Sequence, residues 1–133
     1  MQEKRKTIIV TGAGQGIGAG VTNAFIERGY NVVANSRNIT NSALVPSERL
    51  ALVDGNIGEA STAATIVATA TSKFGSIDGV VNNAGIFFSK PFTEYTVHDF
   101  DLLSETNLQG YLHITQLAVK QMLTQKTGGA SRA

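Results

Sequence analysis

Four glycines, Gly12, Gly14, Gly16 and Gly18, fall within seven residues, directly after the β-branched run Thr7-Ile8-Ile9-Val10. That run has no polar alternation and predicts a strand covered on both faces. Beyond the glycines, Ile17, Val21, Ala24, Phe25 and Arg28 recur at helical spacing, and Gly29 supplies the stop. A strand, a glycine turn and a helix in succession turn free backbone N–H groups and a partial positive charge toward an anion, with no Cβ atoms in the way. A dinucleotide pyrophosphate is the ligand this arrangement suits. The strict G-x-G-x-x-G spacing is not met: Gly12 and Gly14 satisfy its first half, and Ile17 occupies the final position. The alternative is a tight βα turn without a ligand.

Other chemistry is narrowed by what the sequence lacks. There is no cysteine, which excludes thiolate nucleophiles, disulfides and cysteine-ligated metals. The two histidines, His98 and His113, have no ligand-spaced partner, so no metal site is expected. The net charge is +1, with 11 basic and 10 acidic side chains, which gives no footprint for nucleic acid or an anionic membrane. The one basic cluster, Lys4-Arg5-Lys6, reads as a solvated lead-in. The apolar stretch after it is too short for a signal peptide or a span, which needs about 20 residues. A cytoplasmic protein without a membrane segment is expected.

The elements that must position the glycine turn follow a βα rhythm. Strands are predicted at Thr7–Val10, within Tyr30–Asn35, at Leu50–Val53 and within Ser76–Asn82. Polar residues Ser36–Ser47, with Pro46, form a loop. Ala63, Val67, Ala70 and Phe74 keep helical spacing up to Gly75. A long helix is predicted from about Val97 to Lys126, its stripe built from Leu103, Leu108, Tyr111, Leu112, Thr115, Ala118 and Met122. Alternating strands and helices imply an α/β fold with a parallel sheet and helices on both faces. The expectation is a Rossmann-like doubly wound sheet of strand order 3-2-1-4, as one domain over residues 1–133, incomplete on its C-terminal side.

The segment Thr11-Gly12-x-x-x-Gly16-Ile17-Gly18 resembles the cofactor turn of the short-chain dehydrogenase/reductase family. Three further stretches extend the resemblance in the right order: Lys73-Phe74-Gly75-Ser76-Ile77-Asp78, Asn82-Asn83-Ala84-Gly85 and Asn107-Leu108-x-Gly110. The resemblance implies that Gly12, Gly16, Ile17 and Gly18 hold the pyrophosphate and adjacent ribose of a nicotinamide dinucleotide. It implies that Asn83, Ala84 and Gly85 lie beside the riboses and brace the sheet, and that Asn107 is the family's active-site Asn. Read without it, Asn83 to Gly85 make a strand-ending turn and Asn107 is an ordinary mid-helix polar residue.

An acid about 20 residues past the glycine turn would bind a ribose 2′-hydroxyl and select NAD. Strand 2 ends instead in Asn35-Ser36-Arg37. Arg37 can meet a 2′-phosphate with a paired contact and Ser36 can donate to it, so NADP(H) is expected, with NAD the alternative. A solvated loop charge is the other reading of Arg37. In the family an Asp and an apolar residue serve the adenine after strand 3. Asn56-Ile57 aligns with that pair, and Asp54 lies two residues earlier and can serve instead.

The resemblance further calls for a Ser and a Tyr-x-x-x-Lys, and neither is found. Tyr30, Tyr95 and Tyr111 are followed at that spacing by Ala34, Asp99 and Thr115. Ser131 follows no β-run and is not cast as catalytic. Strand 4 is then expected to be an open edge, inviting a homo-oligomer or another partner. Two functions stay open. One is the cofactor-binding half of an oxidoreductase moving a hydride between NADP(H) and a small carbonyl or alcohol substrate, inactive alone. The other is a non-catalytic dinucleotide-binding or protein-interaction module. The degenerate product of a truncated gene is a third possibility.

Overall fold

The computed structural model describes residues 5–14, 16–83, 94, 96–125 and 130–132; for residues 99–109 and 130–132 it describes the backbone alone. Five strands form one parallel sheet: β1 (Thr7–Thr11), β2 (Asn31–Ser36), β3 (Leu50–Asp54), β4 (Gly79–Val81) and β5 (Ala130–Arg132), in the order β3-β2-β1-β4-β5. Among the described residues three α-helices connect them: α1 (Gly16–Glu27), α2 (Ala60–Thr69) and α3 (Val97–Gln125). This is the expected doubly wound order 3-2-1-4, with one strand more.

That extra strand corrects the expectation of an open edge at β4. Gly79, Val80 and Val81 pair with Ala130, Ser131 and Arg132. The segment lacks a β-branched run, and its own composition does not call for a strand. The exposed N–H and C=O groups of β4 supply the reason, because they offer a ladder to any chain returning beside them.

Alternation along each buried strand sorts the core into two layers. Ile9, Val33, Ala51, Val53 and Val80 face one side, packed against Ala63 and Ile66 of α2 and Ile114, Ala118 and Met122 of α3. Ile8, Val10, Val32, Ala34 and Leu50 face the other, beneath Val21, Phe25 and Ile26 of α1. No helix crosses between β2 and β3. A single 3-10 turn, Ile39–Asn41, takes that place, and Ile39 and Leu44 fill the layer a crossover helix would cover. After Thr69 the helix α2 widens into a π-turn over Ala70–Phe74 and stops at Gly75, whose φ of 84° is the left-handed conformation that only glycine adopts cheaply.

The stripe on α3 differs from the expected one. Among the described side chains its buried line is Gly110, Ile114, Ala118 and Met122: Ala118 and Met122 are buried as expected, Tyr111 and Leu112 are exposed, and the Leu103 and Leu108 side chains lie outside the described residues. The expected stripe was wider than the face the sheet covers, so an apolar pattern alone did not say which part of it turns inward. Gln125 pins the end of the helix to the start of β4: its Oε1 accepts the Ile77 N–H at 3.1 Å and its Nε2 donates to the Ile77 carbonyl at 2.6 Å. At the same end of β4, Asp78 Oδ2 accepts the Thr7 N–H at 2.8 Å and so sets where β1 begins. These two pins fix where β1 and α3 lie along β4.

Candidate functional site

The C-terminal ends of β1, β2, β3 and β4 meet at one rim of the sheet, and the glycine turn sits on it. Gly12 and Gly16 have φ of 65° and 60°, which turns the chain sharply out of β1 and into α1. A Cβ on Gly18 would collide with the Gly12 carbonyl oxygen and lie 2.7 Å from Asn83 Nδ2. The helix therefore begins pressed against the strand it left. A Cβ on Gly16 would meet nothing within 4 Å. Beside it, Ile17 is 77% exposed. In the first turn of α1 it therefore lies outside the buried face of the helix, although its spacing matches the helical period.

Hydrogen bonds tie the turn to both neighbouring strands. The Asn83 N–H donates to Thr11 Oγ1 at 3.1 Å, and Asn83 Nδ2 donates to the Gly12 carbonyl at 3.2 Å. On the other flank, the Ala13 N–H donates to the Asn35 carbonyl at 2.9 Å. A Cβ on Gly14 would come within 2.8 Å of Ser36 Oγ, so the turn lies directly on the end of β2. The buried Asn35 amide donates in turn to the Val53 and Gly55 carbonyls at 2.9 and 3.2 Å. Strand ends β4, β1, β2 and β3 are thus joined in sequence around the glycines.

Gly12, Gly14, Gly16, Ile17, Gly18, Ser36 and Asn83 are brought together as expected. Arg37 follows Ser36 on the rim and is exposed. Asp54 pairs in register with Ser36. Its carboxylate accepts the Thr40 N–H at 3.0 Å and the Thr40 hydroxyl at 2.8 Å. The Thr40 N–H, then its hydroxyl, and the Ile39 N–H hold the Asp54 carboxyl below its ordinary value, against a small opposing effect of desolvation. A lowered carboxyl pKa means the contact is present at neutral pH and is lost as pH falls through that lowered value.

Asn56 and Ile57 are placed differently from the others. Asn56 Oδ1 accepts the Gly58 N–H at 2.9 Å, and the Ile57 side chain lies in the core. A Cβ on Gly110 of α3 would lie 2.8 Å from Ile57 Cγ2. The Ile57 side chain is therefore taken up by packing, while Asn56 uses one side-chain oxygen to close its own turn. Ala84 and Gly85 lie outside the described residues, as does the Asn107 side chain, although its backbone is part of α3. The aromatic loop of Phe87, Phe88 and Phe92 is also outside them.

Three contributors escaped the sequence reading. Thr11 was legible only as a motif member, not as the hydroxyl that receives Asn83. Asn35 carried a usable signal, since an Asn closing an otherwise apolar buried strand must find partners for its amide. Thr40 carried none. Among the described residues, no group of His, Asp and Glu could hold a metal ion, and no helix is long and apolar enough to cross a membrane. A groove of about 330 Å³ opens beside Gly14, between Ala19, Asn23 and Ile26 of α1 and Leu44 and Val45 of the crossover.

The fold that carries this rim is shared with known proteins. A family model for short chain dehydrogenases matches residues 6–130. The chain belongs to the short-chain dehydrogenase family. It is 32% identical over 130 residues to a 3-oxoacyl-(acyl-carrier-protein) reductase FabG of Staphylococcus aureus, covering 92% of this chain and 53% of that one. The structure of a 3-ketoacyl-(acyl-carrier-protein) reductase from Brucella melitensis, complexed with NADH, superposes with a TM-score of 0.82 at 27% identity, over 90% of this chain and 51% of that one. A short-chain dehydrogenase/reductase (glucose/ribitol dehydrogenase) from the same organism gives 0.78 at 29% identity, over 91% and 55%. The chain therefore spans about half the length of the relatives it matches. Within the family's fold, the residues present fit a dinucleotide, because a Cβ would fill the cradle at Gly14 and Gly18 while Gly16 fronts open space.

Proposed function

We propose that this chain is the cofactor-binding half of an oxidoreductase that moves a hydride between NADP(H) and a carbonyl or alcohol substrate. The observation that carries the reading is the glycine turn clamped between Asn83 and Ser36, with Gly18 packed where no side chain fits. Bound there, the nicotinamide cofactor supplies the hydride. The chain's own residues bind and orient it. Backbone N–H groups of Gly12, Gly16, Ile17 and Gly18 hold the pyrophosphate and ribose at the start of α1. Asn83, with Ala84 and Gly85 beyond it, carries the riboses. The Asn56 amide and the backbone of Asn56-Ile57 meet the adenine, and Asn107 takes the family's active-site Asn role. The sequence contains no Tyr-x-x-x-Lys, so the chain by itself is proposed to bind cofactor without turning over substrate. The NADH held by the Brucella melitensis relative supports a nicotinamide dinucleotide and leaves the phosphate preference to Ser36 and Arg37.

Calorimetric titration of the chain with NADP⁺ and NAD⁺ tests this. Tighter binding of NADP⁺ is expected, and Arg37→Ala should weaken NADP⁺ by about 10- to 100-fold, the cost of losing a charge-assisted bond. NAD⁺ should be unaffected. Equal affinities in the wild-type chain would count against NADP(H), and no binding of either would count against the site.

A second reading, as a protein-interaction module, draws on α3. Leu112, Val119 and Leu123 are exposed along it, Leu112 by 56% and Leu123 by 71%. An apolar face of this kind suits a second copy of the chain. Sedimentation should show a dimer that Leu112→Lys and Leu123→Lys together dissociate; a monomer at high concentration would remove this reading.

A further inference from the structure

Asp54 stands beside Ser36 in the β2–β3 register, and so next to the strand end to which the NADP(H) reading assigns the 2′ position. Its carboxylate is not free. Oδ1 accepts the Thr40 N–H and Oδ2 accepts the Thr40 hydroxyl. Thr40 belongs to the 3-10 turn that replaces a crossover helix, and its neighbour Ile39 is fully buried beneath the sheet. The turn is thus fastened at two points, Ile39 in the core and Thr40 on Asp54. Between these points and the end of β2 lie only Arg37 and Asn38. The Gly55 N–H, bonded to the Ser36 carbonyl at 3.1 Å, closes the same bracket from β3.

We infer that the Asp54–Thr40 contact is a specificity latch, which holds the Arg37 loop in place and keeps a carboxylate turned away from the cofactor's 2′ position. This rests on the NADP(H) reading above and adds a positioning pair to it. The physical logic has two parts. An Arg on an unfastened loop loses conformational freedom on meeting a phosphate, and a fastened one loses less. An unlatched carboxylate near a 2′-phosphate repels it, whereas the same group can accept from a 2′-hydroxyl. Breaking the latch should therefore weaken NADP⁺ and leave NAD⁺ unchanged or slightly tighter.

The variants separate the two parts. Thr40→Val removes the hydroxyl, keeps the backbone contact and frees one Asp54 oxygen; NADP⁺ should weaken about three- to tenfold relative to NAD⁺. Asp54→Ala breaks both contacts and also removes the charge, so its loss should be smaller. Adding Asp54→Ala to Thr40→Val should recover part of the NADP⁺ affinity. Thr40→Ser keeps a hydroxyl and should keep the wild-type ratio. A pair that merely stabilised the fold would weaken both cofactors alike and show no such order.

The closing experiment measures NADP⁺ and NAD⁺ dissociation constants for these variants, alongside amide hydrogen exchange of residues 38–41 without cofactor. Faster exchange in Thr40→Val and Asp54→Ala, with the stated order of NADP⁺ losses, is the expected result. Unchanged exchange overturns the latch itself. A wild-type preference for NADP⁺ whose ratio Thr40→Val leaves unmoved overturns the specificity role while the NADP(H) reading stands. A wild-type chain without preference overturns both that reading and the specificity role.

Discussion

Replacing Gly18 with alanine should abolish dinucleotide binding, while the same change at Gly20, in the same helix, should not disturb it. The two glycines differ in surroundings. A Cβ at Gly18 meets the Gly12 carbonyl and Asn83 Nδ2, both part of the brace between β1 and β4; a Cβ at Gly20 meets nothing within 4 Å. Backbone cannot give way as a flexible side chain can, so Gly18→Ala must push α1 off the strand end or break the Asn83 contact. Overpacking of this sort costs about 1–3 kcal/mol of stability. Its effect on binding should be larger than that figure suggests, because the N–H groups at the start of α1 must stay aligned for the pyrophosphate. Gly20→Ala, exposed within a helix, should raise stability by roughly 0.5–1 kcal/mol through helix propensity. Urea denaturation and calorimetric titration of both variants check the pair. A Gly18→Ala chain that binds as well as wild type would show that the close approach is not needed.

The second large effect is expected at Ile9. This residue is fully buried at the centre of β1, the strand that carries the glycine turn, and it packs in the layer under α2 and α3. Ile9→Ala should lower stability by about 2–5 kcal/mol, the sum of lost burial and the cavity left behind. Against a typical total of about 5–15 kcal/mol, that leaves a chain near the edge of folding. Val45→Ala, at a side chain 76% exposed, should stay within about 0.5 kcal/mol. The midpoints of urea unfolding provide the comparison. Similar midpoints for the two variants would mean that β1 is not the core strand described.

Much of the fold was legible because its signals are local. A β-branched run without polar alternation, followed by glycines and a helical period, left few alternatives for β1, the turn and α1. Handedness and the βα rhythm pointed to a doubly wound sheet, and the order 3-2-1-4 is that of its Rossmann-like form. What was not legible depended on neighbours. β5 exists because β4 offers it a ladder, and nothing in Ala130-Ser131-Arg132 itself calls for a strand. The inward line of α3, Gly110-Ile114-Ala118-Met122, was hidden by other apolar residues at comparable spacing, whereas Ile17, at helical spacing but assigned to the cofactor turn, is exposed.

The site divides in the same way. The glycines, Ser36, Arg37 and Asn83 were visible as types at fixed spacing. Asp54 was visible as an acid, but its partner Thr40 lies 14 residues earlier, and only the pairing of β2 with β3 brings them together. Asn56-Ile57 shows the limit of alignment by type. The pair occupies the expected segment, yet one side chain closes its own turn and the other packs toward Gly110.

The central claim is that the rim formed by the ends of β1, β2 and β4 is where a dinucleotide binds. Chemical-shift mapping of the labelled chain during titration with NADP⁺ tests it most directly. The account predicts saturable changes concentrated at the amides of Gly12, Gly16, Ile17, Gly18, Ser36, Arg37 and Asn83, with the groove beside Leu44 and Val45 little affected beyond Gly14. Changes centred on that groove, or none at all, would contradict it.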